Sequence, residues 1–231
     1  MKKFWKNVEV IESSENLFQI LLDKKHLKTP LKKDLIFSNY KIAKETALEW
    51  DFDEEEINTD NMIFYGLMST AIDKIHSDKR SYVNNIVSFI NTDLICYRAE
   101  GPNDLVELQN NLWNPIISYI GENIGATLDT FIGVMPSKQS EETFIKVENL
   151  INSFSDIKIS VLYRLTNLTG SIFISLSILK GHVAKDKAFK LSFLDELWQV
   201  ANWGVEEEAA IKRSKILLEL NRIISFIEII R

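Results

Sequence analysis

The first 38 residues carry the alternating pattern of short β-strands. Val8 and Val10 alternate with Glu9, and a second apolar run over residues 18–23 (FQILLD) follows a polar stretch. The next segment, KKHLKTPLKKD, is rich in lysine and contains Pro30, which is typical of turns. Strands joined by short polar turns predict a small antiparallel β-rich unit over residues 1–38.

From residue 39 onward the apolar positions repeat with the period of a helix. Ile63, Leu67, Ala71 and Ile75 recur four residues apart, and Asp60 precedes them as a predicted N-cap. Similar periods predict helices near 103–120, 140–152, 156–168, 171–180, 185–202 and 205–230. We therefore expect an α+β protein, in which a larger mainly α-helical domain over residues 39–231 follows the β-rich unit.

Two segments interrupt the helical pattern. Residues 93–99 and the β-branched stretch 127–134 are predicted as short strands that pair with each other or with the N-terminal strands. The segment TDLICYRAEGP, residues 92–102, is expected in the core where the β-rich unit meets the helices, with Arg98 and Glu100 fixing that junction. Pro115 should kink or break its helix, because proline lacks an N–H donor. The apolar C-terminal stretch, residues 223–231, indicates either deep packing or an exposed patch.

Composition excludes several classes of function. The formal net charge of −6 disfavours non-specific binding to nucleic acid or anionic membranes. The longest uncharged stretch, residues 165–179, is shorter than the roughly 18 residues of a membrane-spanning helix and predicts a buried helix pair. One cysteine rules out an internal disulfide and fits a reducing compartment, and the N-terminus lacks the apolar run of a signal peptide.

The sequence carries no recognisable catalytic or cofactor motif. The glycines never approach a nucleotide-binding spacing, and the three histidines lack a zinc-binding spacing. We therefore expect no cofactor and no metal. A Cys96–His76 nucleophile pair is possible in principle, but Cys96 lies in an apolar run, where burial raises the pKa of a thiol and lowers its reactivity.

The segment FLDELWQVANWG, residues 193–204, has two interpretations. Its apolar and polar residues fall on neighbouring faces of one helix, which fits an ordinary amphipathic helix with tryptophans in the core. Tryptophan beside a carboxylate and an amide is also the residue mix that concentrates binding energy at interfaces. Trp50, which ends a predicted helix before an acidic stretch, admits the same two readings, a core residue or the edge of an interface.

The chain resembles one family along nearly its whole length. The matching segments, in order, are FWKNVEV, FQILLD running into LKTP, ALEW, STAIDKI, TDLICYRAEGP, WNP, LTGSIFISL and DELWQVANWG. Their collinear order resembles the assembly chaperones of the ATP synthase catalytic sector, known as the ATP-twelve family. Two details depart from the family pattern, namely Lys24-Lys25 after the second strand and the stretch that begins at Met62.

The resemblance implies a chaperone without enzymatic activity. Such a protein binds the unassembled alpha subunit of ATP synthase and prevents its self-association until the beta subunit replaces it. We expect Trp50, Asp195, Glu196, Gln199 and Trp203 to contact the partner or to position it. We expect a bacterial cytoplasmic protein that is a monomer when free. Two alternatives remain open: a hydrolase using Cys96 or the Asp195 and Glu196 carboxylates, and a structural subunit that stays in the finished complex.

Overall fold

The computed structural model describes residues 2–133, 135 and 137–231, which form two compact units. The first contains the N-terminal residues up to Lys79 together with Ser225–Arg231, and the second is Arg80–Ile224. The predicted boundary after residue 38 coincides with the change from strands to helices within the first unit, where α1 (Tyr40–Leu48) begins. An α+β architecture with an N-terminal antiparallel strand unit and a larger helical region is confirmed.

The strands of the first unit form a three-stranded antiparallel sheet in the order β1-β2-β3. These strands are β1 (Val8–Ser14), β2 (Leu17–Leu22) and β3 (Lys25–His26). Asn16 adopts a positive φ of 57° in the turn between β1 and β2. In the next turn the Asp23 carboxylate accepts hydrogen bonds from the backbone N–H groups of Lys6 and Asn7. The side chain of Asp23 thereby closes the turn onto the segment that leads into β1.

The helices of the first unit are α1 and α2 (Ile63–Thr70), and α2 continues into a wider π-helical turn, Ala71–Ile75. The predicted cap at Asp60 is wrong, because Asp60 lies within a short 3₁₀ turn, Thr59–Asn61, and α2 has no local side-chain cap. Glu49, which lies 15 residues before Phe64 in the sequence, caps the helix instead. Its carboxylate oxygens each accept a hydrogen bond of 2.9 Å, from the N–H groups of Phe64 and Tyr65.

The second unit is mainly helical. Its helices are α3 (Lys79–Ser88), α4 (Asn103–Ile124), α5 (Glu141–Asn152), α6 (Asp156–Thr169), α7 (Ile172–Lys180), α8 (Lys185–Ser192), α9 (Leu194–Trp203) and α10 (Glu207–Ile230), the last of which ends in the first unit. α6 and α7 are the predicted buried helix pair, and every residue of α7 except Lys180 is buried. Among the described residues, no helix is long and apolar enough to cross a membrane.

Three local predictions for this region were inaccurate. Of the kink or break expected at Pro115, the break is absent, because α4 runs through this residue. α4 begins at Asn103, and Pro102 occupies the cap position. The predicted helix 185–202 is two helices, because it stops at Phe193 and restarts at Leu194. The strand expected over 127–134 is only β5 (Phe131–Ile132), and Val134 lies outside the described residues. β5 pairs in parallel with β4 (Tyr97–Arg98), not with the N-terminal sheet.

The segment TDLICYRAEGP is part of the core of the second unit. Ile95 and Cys96 are fully buried, as predicted. The carboxylate of Asp93 accepts hydrogen bonds from the Ser171 hydroxyl at 2.7 Å and from the Phe173 N–H at 3.2 Å, which anchors the segment at the start of α7. The predicted partner was the β-rich unit, whereas these bonds join the segment to helices of its own unit.

Candidate functional site

Helix α9 carries four of the five predicted binding residues, and a polar chain ties it to α4. The Asp195 carboxylate accepts a 2.8 Å hydrogen bond from Nε2 of Gln109 in α4. Oε1 of Gln109 in turn accepts a 2.9 Å bond from the N–H of Ala99, directly after β4. Gln109 is buried, so both ends of its amide are used inside the unit. Asp195 therefore faces α4 and joins three elements of the fold.

A buried arginine lies close enough to Asp195 for the two charges to interact. Arg98 is buried, its Nη2 donates to Oδ1 of Asn114 at 3.0 Å, and its guanidinium lies 5.2 Å from the Trp113 ring centre. Its Nε and Nη1 have no hydrogen-bond partner within the described residues. Burial lowers the pKa of Arg98, and the negative charge of Asp195 opposes that effect. The Asp195 carboxylate thus compensates a buried positive charge.

The outward face of α9 carries the other three residues. Glu196, Gln199 and Trp203 occur at i, i+3 and i+7, so they share one side of the helix, and all three are exposed. Trp203 is 74% exposed, and its ring packs edge-on against Trp198 with the ring centres 5.5 Å apart. We name Glu196, Gln199 and Trp203 the α9 face.

Trp198 supports this face from below. It is half-buried, and its indole Nε1 donates a 2.9 Å hydrogen bond to Oδ2 of Asp104 in the first turn of α4. The ring that contacts Trp203 is therefore held by a second helix. An exposed tryptophan on a fixed support loses little conformational entropy when it is covered, which suits an anchor residue.

Trp50 belongs to the first unit, whereas the other four predicted binding residues belong to the second. It is buried, with ring centres 5.1 Å from Trp5 and 5.0 Å from Tyr65, and its backbone oxygen accepts a 2.9 Å bond from Nε1 of Trp5. In this environment Trp50 holds the aromatic cluster of the first unit together and presents little surface of its own.

The environment of Cys96 does not suit a nucleophile. Burial, followed by the nearby Asp93 carboxylate, raises the pKa of its thiol far above the usual value, so the thiolate is not formed. The adjacent carboxylates Asp195 and Glu196 do not converge, because the first bonds Gln109 and the second is exposed. Within residues 2–133, 135 and 137–231, no three histidine, cysteine or acidic residues are grouped to hold a metal ion.

Sequence reasoning missed the supporting residues and part of the exposed apolar surface. Gln109 could have been found from the sequence, because it lies four residues from both Leu105 and Trp113, on the apolar face of α4. A polar residue at such a position needs a hydrogen-bond partner inside the fold. Asp104 gave none, because its partner is 94 residues away. The exposed apolar side chains that follow Trp203 were also not singled out, namely Val205, Ile211, Leu217 and Leu218.

Comparison with known proteins gives consistent matches. Residues 2–121 match the family model described as ATP12 chaperone protein. The mitochondrial protein atp12 of Schizosaccharomyces pombe is 29% identical over 226 residues, covering 90% of this chain and 75% of its own length.

Two crystal structures resemble the whole chain. The Atu1473 protein of Agrobacterium tumefaciens is 33% identical with a TM-score of 0.91, covering 100% of this chain and 86% of its own. Atp12 of Paracoccus denitrificans is 28% identical with a TM-score of 0.88, covering 100% of this chain and 98% of its own. From the family match over more than half of the chain and the shared fold over all of it, we conclude that this chain belongs to the ATP12 chaperone family.

Proposed function

We propose that this chain is an assembly chaperone of ATP synthase that binds the unassembled alpha subunit until the beta subunit replaces it. Membership of the ATP12 chaperone family supports the general role. The observation that carries the specific proposal is the exposed Trp203 on the α9 face, 74% accessible and backed by a fixed Trp198. A bacterial cytoplasm, where a lone cysteine stays reduced, is the compartment we assign.

The physical need for such a protein follows from the state of an orphan subunit. A subunit waiting for its partner exposes a large, partly apolar interface that would otherwise self-associate. A chaperone must cover that interface and still yield to the true partner, which favours a moderate area with few anchor residues. Trp203 is the anchor in this proposal, and Glu196 and Gln199 form its polar rim.

Asp195 and Trp50 have positioning roles in this proposal. Asp195 holds α9 on α4 through Gln109 and compensates Arg98, so its replacement disturbs the α9 face indirectly. Trp50 acts inside the aromatic cluster of the first unit. Neither residue needs to touch the partner for its loss to weaken binding.

The proposal is tested by co-expression with the cognate alpha subunit. The wild-type chain should keep the alpha subunit soluble in a one-to-one complex, and added beta subunit should cause that complex to dissociate. Trp203→Ala should weaken binding about 30-fold or more, the loss expected for an interface anchor. Ile145→Ala, which truncates another exposed apolar residue of the same unit (51% exposed), is the matched control and should bind normally.

Asp195→Lys and Asp195→Asn separate contact from positioning. A positioning role predicts that Asp195→Lys weakens alpha binding and also lowers the free energy of unfolding, while Asp195→Asn has the smaller effect on both. If alpha remains insoluble with the wild-type chain, the proposed function is wrong. A complex that survives in the assembled synthase would instead identify a structural subunit.

A further inference from the structure

The first half of α10 presents an exposed face that the α9 face does not include. Glu207, Ile211, Ser214 and Leu218 are all exposed, with Ile211 at 54% and Leu218 at 66%. The opposite side of the same helix is less exposed, and it ends in the fully packed Leu220, 1% accessible. We name Glu207, Ile211, Ser214 and Leu218 the α10 seam.

The spacing within the α10 seam is that of a helix that pairs with another helix. Successive members are four, three and four residues apart, which is the heptad spacing of a coiled coil. Such a stripe follows one side of the helix over three turns. Two large aliphatic side chains in this register, left in water, form an unpartnered face.

The residues on either side of the seam would match those of a second, antiparallel copy of the helix. Glu208 and Lys215 lie seven residues apart on one flank, and both are exposed. Ala210 and Leu217 lie seven apart on the other flank, where Leu217 is 38% exposed. In an antiparallel pair of helices, equivalent flanks face each other, so an acidic and a basic residue spaced by one heptad meet their opposites.

We propose that the α10 seam is the contact surface of a weak antiparallel homodimer. Two copies related by a twofold axis would place Ile211 against Ser214 of the second copy, and Leu218 against Glu207 of the second copy. The same register brings Glu208 opposite Lys215 of the second copy, twice by symmetry, and Ala210 opposite Leu217. One alignment therefore places opposite charges against each other on one flank and apolar residues against each other on the other.

The size of the contact sets its strength. The twelve residues Glu207 to Leu218 span about 18 Å of helix, so two copies bury less than the roughly 1,200 Å² at the lower end of stable interfaces. The dimer should therefore form at high concentration and exchange rapidly. The sequence predicted a free monomer, and the α10 seam revises that expectation for concentrated protein. This inference concerns the isolated chain and does not rest on the proposed function.

Sedimentation velocity of the full chain over about 1 μM to about 1 mM tests the association. The average mass should rise from monomer towards dimer across this range, and added salt should weaken the association because the flank pairs are charged. The single variants Glu208→Lys and Lys215→Glu should each stay monomeric, since each places like charges opposite one another.

Charge exchange provides the decisive control. The double variant Glu208→Lys/Lys215→Glu should associate like wild type, and an equimolar mixture of the two single variants should form a heterodimer. Glu9→Lys, a charge reversal of an exposed residue in β1, should leave association unchanged.

Orientation is tested by cysteine pairs, with Cys96 buried and unreactive. Under mild oxidation, Ile211→Cys mixed with Ser214→Cys should cross-link, whereas Leu218→Cys alone should not, because an antiparallel pair separates its two copies. A monomer at every concentration, or equal association of the wild type and both single charge variants, would overturn the proposal. Efficient cross-linking of Leu218→Cys to itself would overturn the antiparallel arrangement.

Discussion

Asp93 is a carboxyl group whose chemistry in the fold differs strongly from its behaviour in water. It is fully buried and accepts hydrogen bonds from Ser171, Ile95 and Phe173. Burial raises its pKa to about 7, and the hydrogen bonds oppose that rise. A carboxyl group therefore joins the segment that contains Cys96 to the start of α7, at the cost of removing a charge from water.

The raised pKa of Asp93 makes a prediction about stability against pH. The folded state holds a proton on Asp93 up to about pH 7, whereas the unfolded chain releases it near 3.8. The folded state thus binds more protons in this window, so the stability that Asp93 contributes falls as pH rises from about 4 to about 7, by on the order of 4 kcal/mol at most.

Urea unfolding of the wild type and Asp93→Asn between about pH 5 and about pH 8 measures this effect. The advantage of the wild type over the variant should shrink as pH rises and become constant above pH 7. Asp23→Asn is the control, because backbone hydrogen bonds lower the pKa of Asp23 and its contribution is constant over that range. An advantage that grows with pH would contradict the assignment.

At the scale of elements, several helices depend on residues distant in sequence. α2 has no side-chain cap of its own and uses Glu49, which lies 15 residues before Phe64. α4 continues through Pro115, although Pro115 cannot donate to the preceding turn. In the same region Nε1 of Trp113 donates 3.0 Å to the oxygen of Leu191, so packing from another helix supports α4 where its own bonding is incomplete.

Removing the Glu49 carboxylate should destabilise α2. Glu49→Ala leaves two N–H groups of the first turn without their acceptor and should lower the free energy of unfolding by about 1–2 kcal/mol, the usual cost of a lost cap. Glu49→Gln should cost less, since one amide oxygen remains. Lys44→Ala, on the exposed side of α1, should change stability by less than about 0.5 kcal/mol. Thermal unfolding followed by circular dichroism measures all three variants, and equal effects of Glu49→Ala and Lys44→Ala would exclude the cap.

At the scale of the whole molecule, the chain ends are assigned to one unit. Ser225–Arg231 belongs to the first unit with the N-terminal residues, so that unit is built from two stretches that are far apart in sequence. Phe226 and Phe64 are both fully buried, with ring centres 5.0 Å apart in an edge-to-face contact. Of the two readings open for residues 223–231, deep packing is the one realised.

Phe226→Ala should therefore destabilise the first unit. Truncating a fully buried phenylalanine costs about 3–5 kcal/mol through lost burial and the cavity that remains. Glu228→Ala, two residues further on and exposed, should be nearly neutral. Denaturant unfolding measured by tryptophan fluorescence, to which Trp5 and Trp50 of this unit contribute together with the three tryptophans of the second unit, compares the two variants. Equal stability of Phe226→Ala and wild type would show that the C-terminal residues are dispensable.

The sequence by itself determined most of the segments that become strands and helices, and it carried the resemblance to the family. Period and alternation depend on neighbours within a few residues, so β1, β2 and most helices followed directly from the pattern. Ile95 and Cys96 could be assigned to the core for the same reason.

Only the tertiary structure decided which α9 residues bond to the rest of the fold and which are exposed. Asp195 faces Gln109 and the buried Arg98, while Glu196, one residue later, is exposed with Trp203. These partners are far apart in the chain, for example 86 residues between Gln109 and Asp195, and local periodicity carries no information about such pairs. Capping by Glu49 and the pairing of β4 with β5 depended on long-range contacts in the same way, because buried polar groups are satisfied by whatever the fold brings near them.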